Sequence, residues 1–159
     1  MKKIHLILML PVFLTGCAGL PSLDDRPESH YLDIRSAPRM DALLNTATAK
    51  TGGDISNVYL LNDAHEAFVA RAALIEAADH TLDLQYYIWH NDISGKLMFN
   101  LIHRAAERGV RVRLLLDDNN TNGLDNVLLA LDSHPNIEIR LFNPFVRRKW
   151  RALGYLTDF

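Results

Sequence analysis

A chain of 159 residues with 48% hydrophobic content has room for one modest domain with a real core. Its 17 Lys and Arg against 19 Asp and Glu leave a net charge of −2, which argues against a nucleic-acid binder. A single cysteine excludes a disulfide framework.

In chain order, Lys2 and Lys3 precede an apolar run, Ile4 to Phe13, that ends in Leu14-Thr15-Gly16-Cys17. The run is about half the ~20 apolar residues of a membrane-spanning helix, which is the length of a signal-peptide core. Leu-Thr-Gly-Cys resembles the lipobox of bacterial lipoproteins. That resemblance implies lipidation of Cys17, cleavage before it, and a signal peptide over 1–16. With Ala18 rather than Asp after the cysteine, it also implies the outer-membrane sorting class, facing the periplasm. Several acyl chains on one residue suffice for stable anchoring, since each buried CH₂ contributes about 0.8 kcal/mol. The remaining 143 residues carry 15 Lys and Arg against 19 Asp and Glu.

Residues 17–54 are polar, hold Pro21, Pro27, Pro38 and the Gly52-Gly53 pair, and read as tether and lead-in. A short helix is expected at Met40 to Leu44. Beyond Val58 the periodicity sharpens. Asp63 and Glu66 have capping-box spacing, and Ala67, Phe68, Arg71, Ala72, Ile75 and Ala78 follow at helical intervals. Thr81 to Trp89 predicts a strand with Leu82, Leu84, Tyr86 and Ile88 on one face and Asp83, Gln85, Tyr87 and Trp89 on the other. Leu97, Met98, Leu101, Ile102 and Ala105 form a helical stripe that Gly109 can end. Val110 to Leu116 reads as a strand buried on both faces. Leu124, Val127, Leu128 and Leu131 mark a further helix closed by His134-Pro135, and Ile137 to Phe142 supplies a third strand. Helices alternating with strands predict an α/β fold with a mainly parallel three-strand sheet and flanking helices.

Loops at the carboxyl ends of such strands are where chemistry is expected. After the first strand, His90 to Lys96 holds one glycine where a dinucleotide turn needs three. A phosphate-binding P-loop fails as well, because His90 and Leu97 stand where glycine and a hydroxyl residue belong. Asp118, Asn120, Asn122 and Gly123 match the opening of a calcium loop, but the closing Glu would fall on Leu129. The run Asp117 to Asn120 is therefore read as a solvated turn whose side chains cap the helix that follows. His65-Glu66 begins like a zinc-protease helix, but Val69 replaces its second histidine, and the seven histidines show no ligand spacing. No metal or cofactor is expected.

Three blocks remain: Asp83-Leu84-Gln85-Tyr86-Tyr87-Ile88-Trp89, then Arg108-Gly109-Val110-Arg111-Val112-Arg113-Leu114-Leu115-Leu116-Asp117-Asp118, then Arg140-Leu141-Phe142-Asn143-Pro144. Together they resemble the phospholipase D superfamily, and within it bacterial cardiolipin synthases, from about Val58 to Phe159. The resemblance implies phosphatidyl transfer between membrane phospholipids, with two copies of His-x-Lys-x4-Asp supplying a nucleophilic histidine, an acid-base histidine and phosphate-clamping lysines. None of the seven histidines has a lysine two places on, so no catalytic residue is carried over. Residues 55–159 would then be a partial phospholipase D-like domain, about the first third of an enzyme produced by truncation, frameshift or gene splitting, with the missing part as a candidate partner chain. A non-catalytic envelope lipoprotein that binds lipid or such a partner is the alternative. Arg147, Arg148, Lys149, Trp150 and Arg151 suit anionic phospholipid headgroups, each cation contributing about 1 kcal/mol, or else form a solvated basic loop.

Overall fold

The computed structural model describes residues 22, 24, 26–34, 36–48 and 58–145. Within the unit Tyr31–Phe142, helix α1 (Pro38–Thr48) is followed by α2 (Ala64–Ala77), β1 (Thr81–Tyr86), α3 (Ile93–Glu107), β2 (Arg111–Asp117), a 3-10 turn (Asp118–Asn120), α4 (Asp125–Asp132) and β3 (Ile137–Phe142). The three strands form one sheet in the order β1-β2-β3, parallel throughout. The expected α/β architecture is thus the observed one.

Register explains how the sheet sorts its side chains. Leu82, Val112 and Ile137 align in one row, Leu84, Leu114 and Ile139 in the next, and Tyr86, Leu116 and Leu141 in a third. Against this face lie Met98, Phe99, Ile102, Ala105 and Ala106 of α3, Leu128 and Leu131 of α4, and Ile75 of α2, all in one buried cluster. The opposite face carries an ionic row, Asp83, Arg113 and Glu138, and below it Gln85, Leu115 and Arg140. Here the expectation of a second strand buried on both faces needs correction. Burial alternates along β2, complete at Val112, Leu114 and Leu116 and partial at Arg111, Arg113 and Leu115, because two of those three side chains are guanidinium groups that need ionic partners.

The Arg113 guanidinium meets the Asp83 carboxylate with two bonds, Nε to Oδ1 at 2.6 Å and Nη2 to Oδ2 at 2.8 Å. That hydrogen bonding, more than the charge of Arg113 or Arg111, holds the Asp83 carboxyl below the usual carboxylate range against the opposing effect of burial. A folded-state value below the unfolded one gives a stabilisation that is complete above the unfolded pKa of about 3.9 and is lost as pH falls through the folded value. The Asp83 carboxyl carbon should therefore titrate below an ordinary aspartate by NMR, and Arg113→Gln should raise its midpoint. An Asp83 midpoint at or above the ordinary value would contradict the pairing.

Helix ends follow local chemistry with two departures. Asp63 is the N-cap of α2, its carboxylate accepting from the amides of His65 and Glu66, while the Glu66 carboxylate accepts from the Tyr59 hydroxyl rather than closing a capping box. Gly109, at φ +89°, follows α3 as expected; its amide donates to Ala106 O and that of buried Val110 to Ala105 O, a Schellman closure. The buried face of α3 is Gly95, Met98, Phe99, Ile102, Ala105 and Ala106, one position round from the predicted stripe, with Leu97 left half-exposed. Helix α1 runs past both ends of the expected Met40 to Leu44. Pro38 opens it, and the Asp79 carboxylate accepts from the amides of Arg39 (2.8 Å) and Met40 (3.4 Å).

The first strand is shorter than predicted. It pairs with β2 only from Thr81 to Tyr86, after which Tyr87 and Ile88 are exposed and Trp89 turns into the core. An indole buries more apolar area in the layer between sheet and α3 than it could on the ionic face, so packing overrides the alternation. Arg108 ties the other end together: its guanidinium donates to the carbonyls of Ile75 (3.0 Å) and Glu76 (3.3 Å) at the C-terminus of α2 and pairs with the Glu76 carboxylate. The Ile139 amide of β3 donates to the Asp132 carboxylate at the end of α4 (2.7 Å), fixing the strand to the helix before it.

Candidate functional site

The carboxyl end of β1 opens on a cavity of about 610 Å³. Its walls are Phe68 and Val69 of α2, Ile88 and Trp89 of the β1–α3 connection, and Ile93, Leu97 and Met98 of α3. Polar side chains at the cavity are His65, Arg71, His90, Asp92 and Ser94. Trp89 forms its inner wall, edge-on to Tyr86 with ring centroids 4.8 Å apart and stacked on Phe99 at 4.5 Å. The buried indole N–H has no hydrogen-bond partner among the described residues. Gly95 lets α3 begin close against the connection, since a Cβ there would lie 2.1 Å from His90 O.

Chemically this site binds more readily than it reacts. Asp92 is the N-cap of α3, accepting from the Gly95 amide (2.8 Å) and the Ser94 hydroxyl (2.7 Å). The Gly95 amide first, and the Ser94 hydroxyl after it, hold its carboxyl below the usual range, so at neutral pH it is an engaged carboxylate and a poor proton donor. Among the described residues, no lysine lines the cavity. The apolar walls suit a hydrocarbon group, and the polar residues suit a headgroup or water at its mouth.

The loop after β2 joins the same end of the sheet, because Asn120 Nδ2 donates to Tyr87 O (3.0 Å). Its acidic residues correct the expected solvated helix cap. Asp117 accepts from the Asn119 amide (2.8 Å) and caps the 3-10 turn, while Asp118 is fully buried and accepts from the Thr121 hydroxyl. The N-cap of α4 is instead Leu124, with no side-chain bond. A leucine serves there because its side chain completes the core, being 1% exposed. The carboxylate of Asp118 is thus turned into the fold, bonded to Thr121, and does not cap α4.

Two sequence expectations, lipidation of Cys17 and headgroup contact by Arg147, Arg148, Lys149, Trp150 and Arg151, lie outside the described residues. Among the described residues no helix is long and apolar enough to cross a membrane. Of the histidines, His65 and His90 both line the cavity, and His103 and His134 come together elsewhere, beside Glu107. The sequence contains one signal for that second grouping, the four-residue spacing of His103 and Glu107 on one helix.

No family model matches the chain. It is 62% identical to cardiolipin synthase C of Escherichia coli (strain K12) over 102 residues, which cover 64% of this chain and 22% of that protein. An uncharacterized protein of Helicobacter pylori (strain ATCC 700392 / 26695) is 34% identical over 162 aligned residues, 99% of this chain and 32% of that one. Cardiolipin synthase A of Pseudomonas entomophila (strain L48) is 30% identical over 129 residues, 81% of this chain and 25% of that one. The chain spans about a third or less of the length of these relatives. Over part of its length it is therefore related to the cardiolipin-synthase-like proteins of the phospholipase D superfamily.

Proposed function

We propose that this chain supplies the amino-terminal scaffold of a phosphatidyltransferase that acts on membrane phospholipids to make cardiolipin, and that it is inactive alone. The observation that carries this reading is the 62% identity over 102 residues to a cardiolipin synthase. The apolar cavity at the end of β1 supports it, because its walls fit lipid hydrocarbon and polar groups gather beside them. Phosphoryl transfer of this type needs a histidine nucleophile beside a cationic clamp. The 159 residues contain no His-x-Lys-x4-Asp, so that chemistry must come from other residues. Arg147, Arg148, Lys149, Trp150 and Arg151 would sit against anionic headgroups, and acyl chains on Cys17 would hold the protein to the envelope, at the periplasmic face of the outer membrane.

Three preparations test this. The chain alone, purified in its acylated form and placed in anionic phospholipid vesicles, should form no cardiolipin. Adding a segment that carries both His-x-Lys-x4-Asp copies should restore lipid exchange, and Cys17→Ala should abolish incorporation of labelled palmitate. Turnover of phospholipid by the chain alone, with contaminating enzymes excluded, would overturn the reading. Tight lipid binding without any exchange, even with the added segment, would instead select a non-catalytic lipoprotein.

A further inference from the structure

Folding assembles a ligand set at the far end of α3. His103 stands one turn before Glu107 on that helix, and His134 comes from the turn between α4 and β3. Glu107 Oε1 lies 3.7 Å from His103 Nε2 and 3.1 Å from His134 Nε2. The two imidazoles meet edge to face with centroids 5.5 Å apart, and one donor atom from each of the three residues lies within 4.8 Å of the others. Around a tetrahedral zinc ion, bond lengths of about 2.0–2.2 Å place donors roughly 3.3 Å apart. The Glu107–His134 separation is already close to that. His103 and Glu107 have side chains 47% and 60% exposed, so rotation can draw them in without disturbing the core.

We propose that His103, Glu107 and His134 form a surface site for a borderline divalent transition ion of the zinc class, with a fourth position open to water. Two imidazoles among three protein donors disfavour calcium and magnesium, which take oxygen. The metal-free state is held by a proton. His134 Nδ1 accepts from the Asn136 amide (3.1 Å), so the neutral ring carries its hydrogen on Nε2 and donates it to Glu107. An ion at Nε2 needs that nitrogen's lone pair, so the ring's one N–H hydrogen must move to Nδ1, where it faces an amide that is also a donor. Binding must therefore release the Asn136 amide, which sets the affinity below that of a preformed structural zinc site and gives binding a signature of its own. Asn136 Nδ2, bonded to Ala106 O (3.1 Å), keeps the turn against α3 while the amide is freed. The ion would thus clip the end of α3 to the segment entering β3.

Zinc chloride titrated into the full chain by calorimetry tests this, with Cys17 replaced by serine so that no thiolate competes. One ion per chain is expected. His103→Ala should weaken uptake at least about tenfold, whereas His30→Ala, at an exposed position outside the cluster, should not change it. In the parent, the Asn136 amide resonance should shift on zinc addition and return with chelator. Failure to take up zinc at millimolar concentration, or uptake equal in parent and His103→Ala, would overturn the proposal. Because the readouts are binding and an amide shift, the outcome is independent of phospholipid chemistry.

Discussion

Ile102→Ala should cost the fold about 2–5 kcal/mol. Ile102 is fully buried on α3, in the same cluster as Val112, Leu114 and Leu116 of the central strand. Truncation to alanine removes three carbons from a layer where the sheet cannot follow α3 inward, since Ala105 and Ala106 beside it are already small and fully buried. Domain stabilities of ~5–15 kcal/mol make this a large share of the total. A urea midpoint lowered accordingly, with the slope unchanged, is the expected measurement. A loss under ~1 kcal/mol would mean that α3 does not pack on the sheet as described. Leu97→Ala, more than a turn earlier on the half-exposed side of the same helix, should cost far less.

The second large effect belongs to Gly95→Ala. In an ordinary helix the change would be favourable by up to ~1 kcal/mol. Here the new Cβ would stand 2.1 Å from His90 O and 3.0 Å from Trp89 Nε1. The first obstacle is backbone, so the start of α3 and the β1–α3 connection must separate, at a cost of roughly 1–3 kcal/mol or more. The separation strips the Gly95 amide from Asp92 and loosens the Trp89 wall, so indole fluorescence should shift along with the urea midpoint. Gly109→Ala is the contrasting case. Nothing lies within 4 Å of its Cβ position, and φ +89° makes its penalty one of backbone conformation alone. If Gly95→Ala is neutral or stabilising, the close approach at His90 is not real.

Much of this architecture was legible because its causes are local. The strands at Thr81 and Ile137 start where alternating runs headed by a β-branched residue begin, Gly109 ends α3 by its own conformational freedom, and Asp63 caps the helix that follows it. What escaped depends on partners distant in the chain. The cap of α1 is Asp79, forty residues after Arg39, and no property of residues 36–41 announces it. The end of β1 is set by the packing of Trp89 against Phe99, so alternation alone carried the strand three residues too far. Asp118 looks like a solvent residue among Asp117, Asn119 and Asn120, yet Thr121 gives it a buried partner. At the cavity, each wall comes from a different helix or connection, and a linear reading sees only that those stretches are apolar.

Strand order that repeats chain order has a consequence for assembly. As the polypeptide is delivered amino end first, each described strand can dock on the strand completed just before it, and among the described residues none has to be threaded between two already joined. The order β1-β2-β3 thus permits growth by accretion at one advancing border, each increment adding one helix and one strand. Closing each increment costs loop entropy before any ladder bond forms, which is the slow step for parallel pairing. The helices α3 and α4 shorten that step, because each carries the chain back along the sheet as it forms.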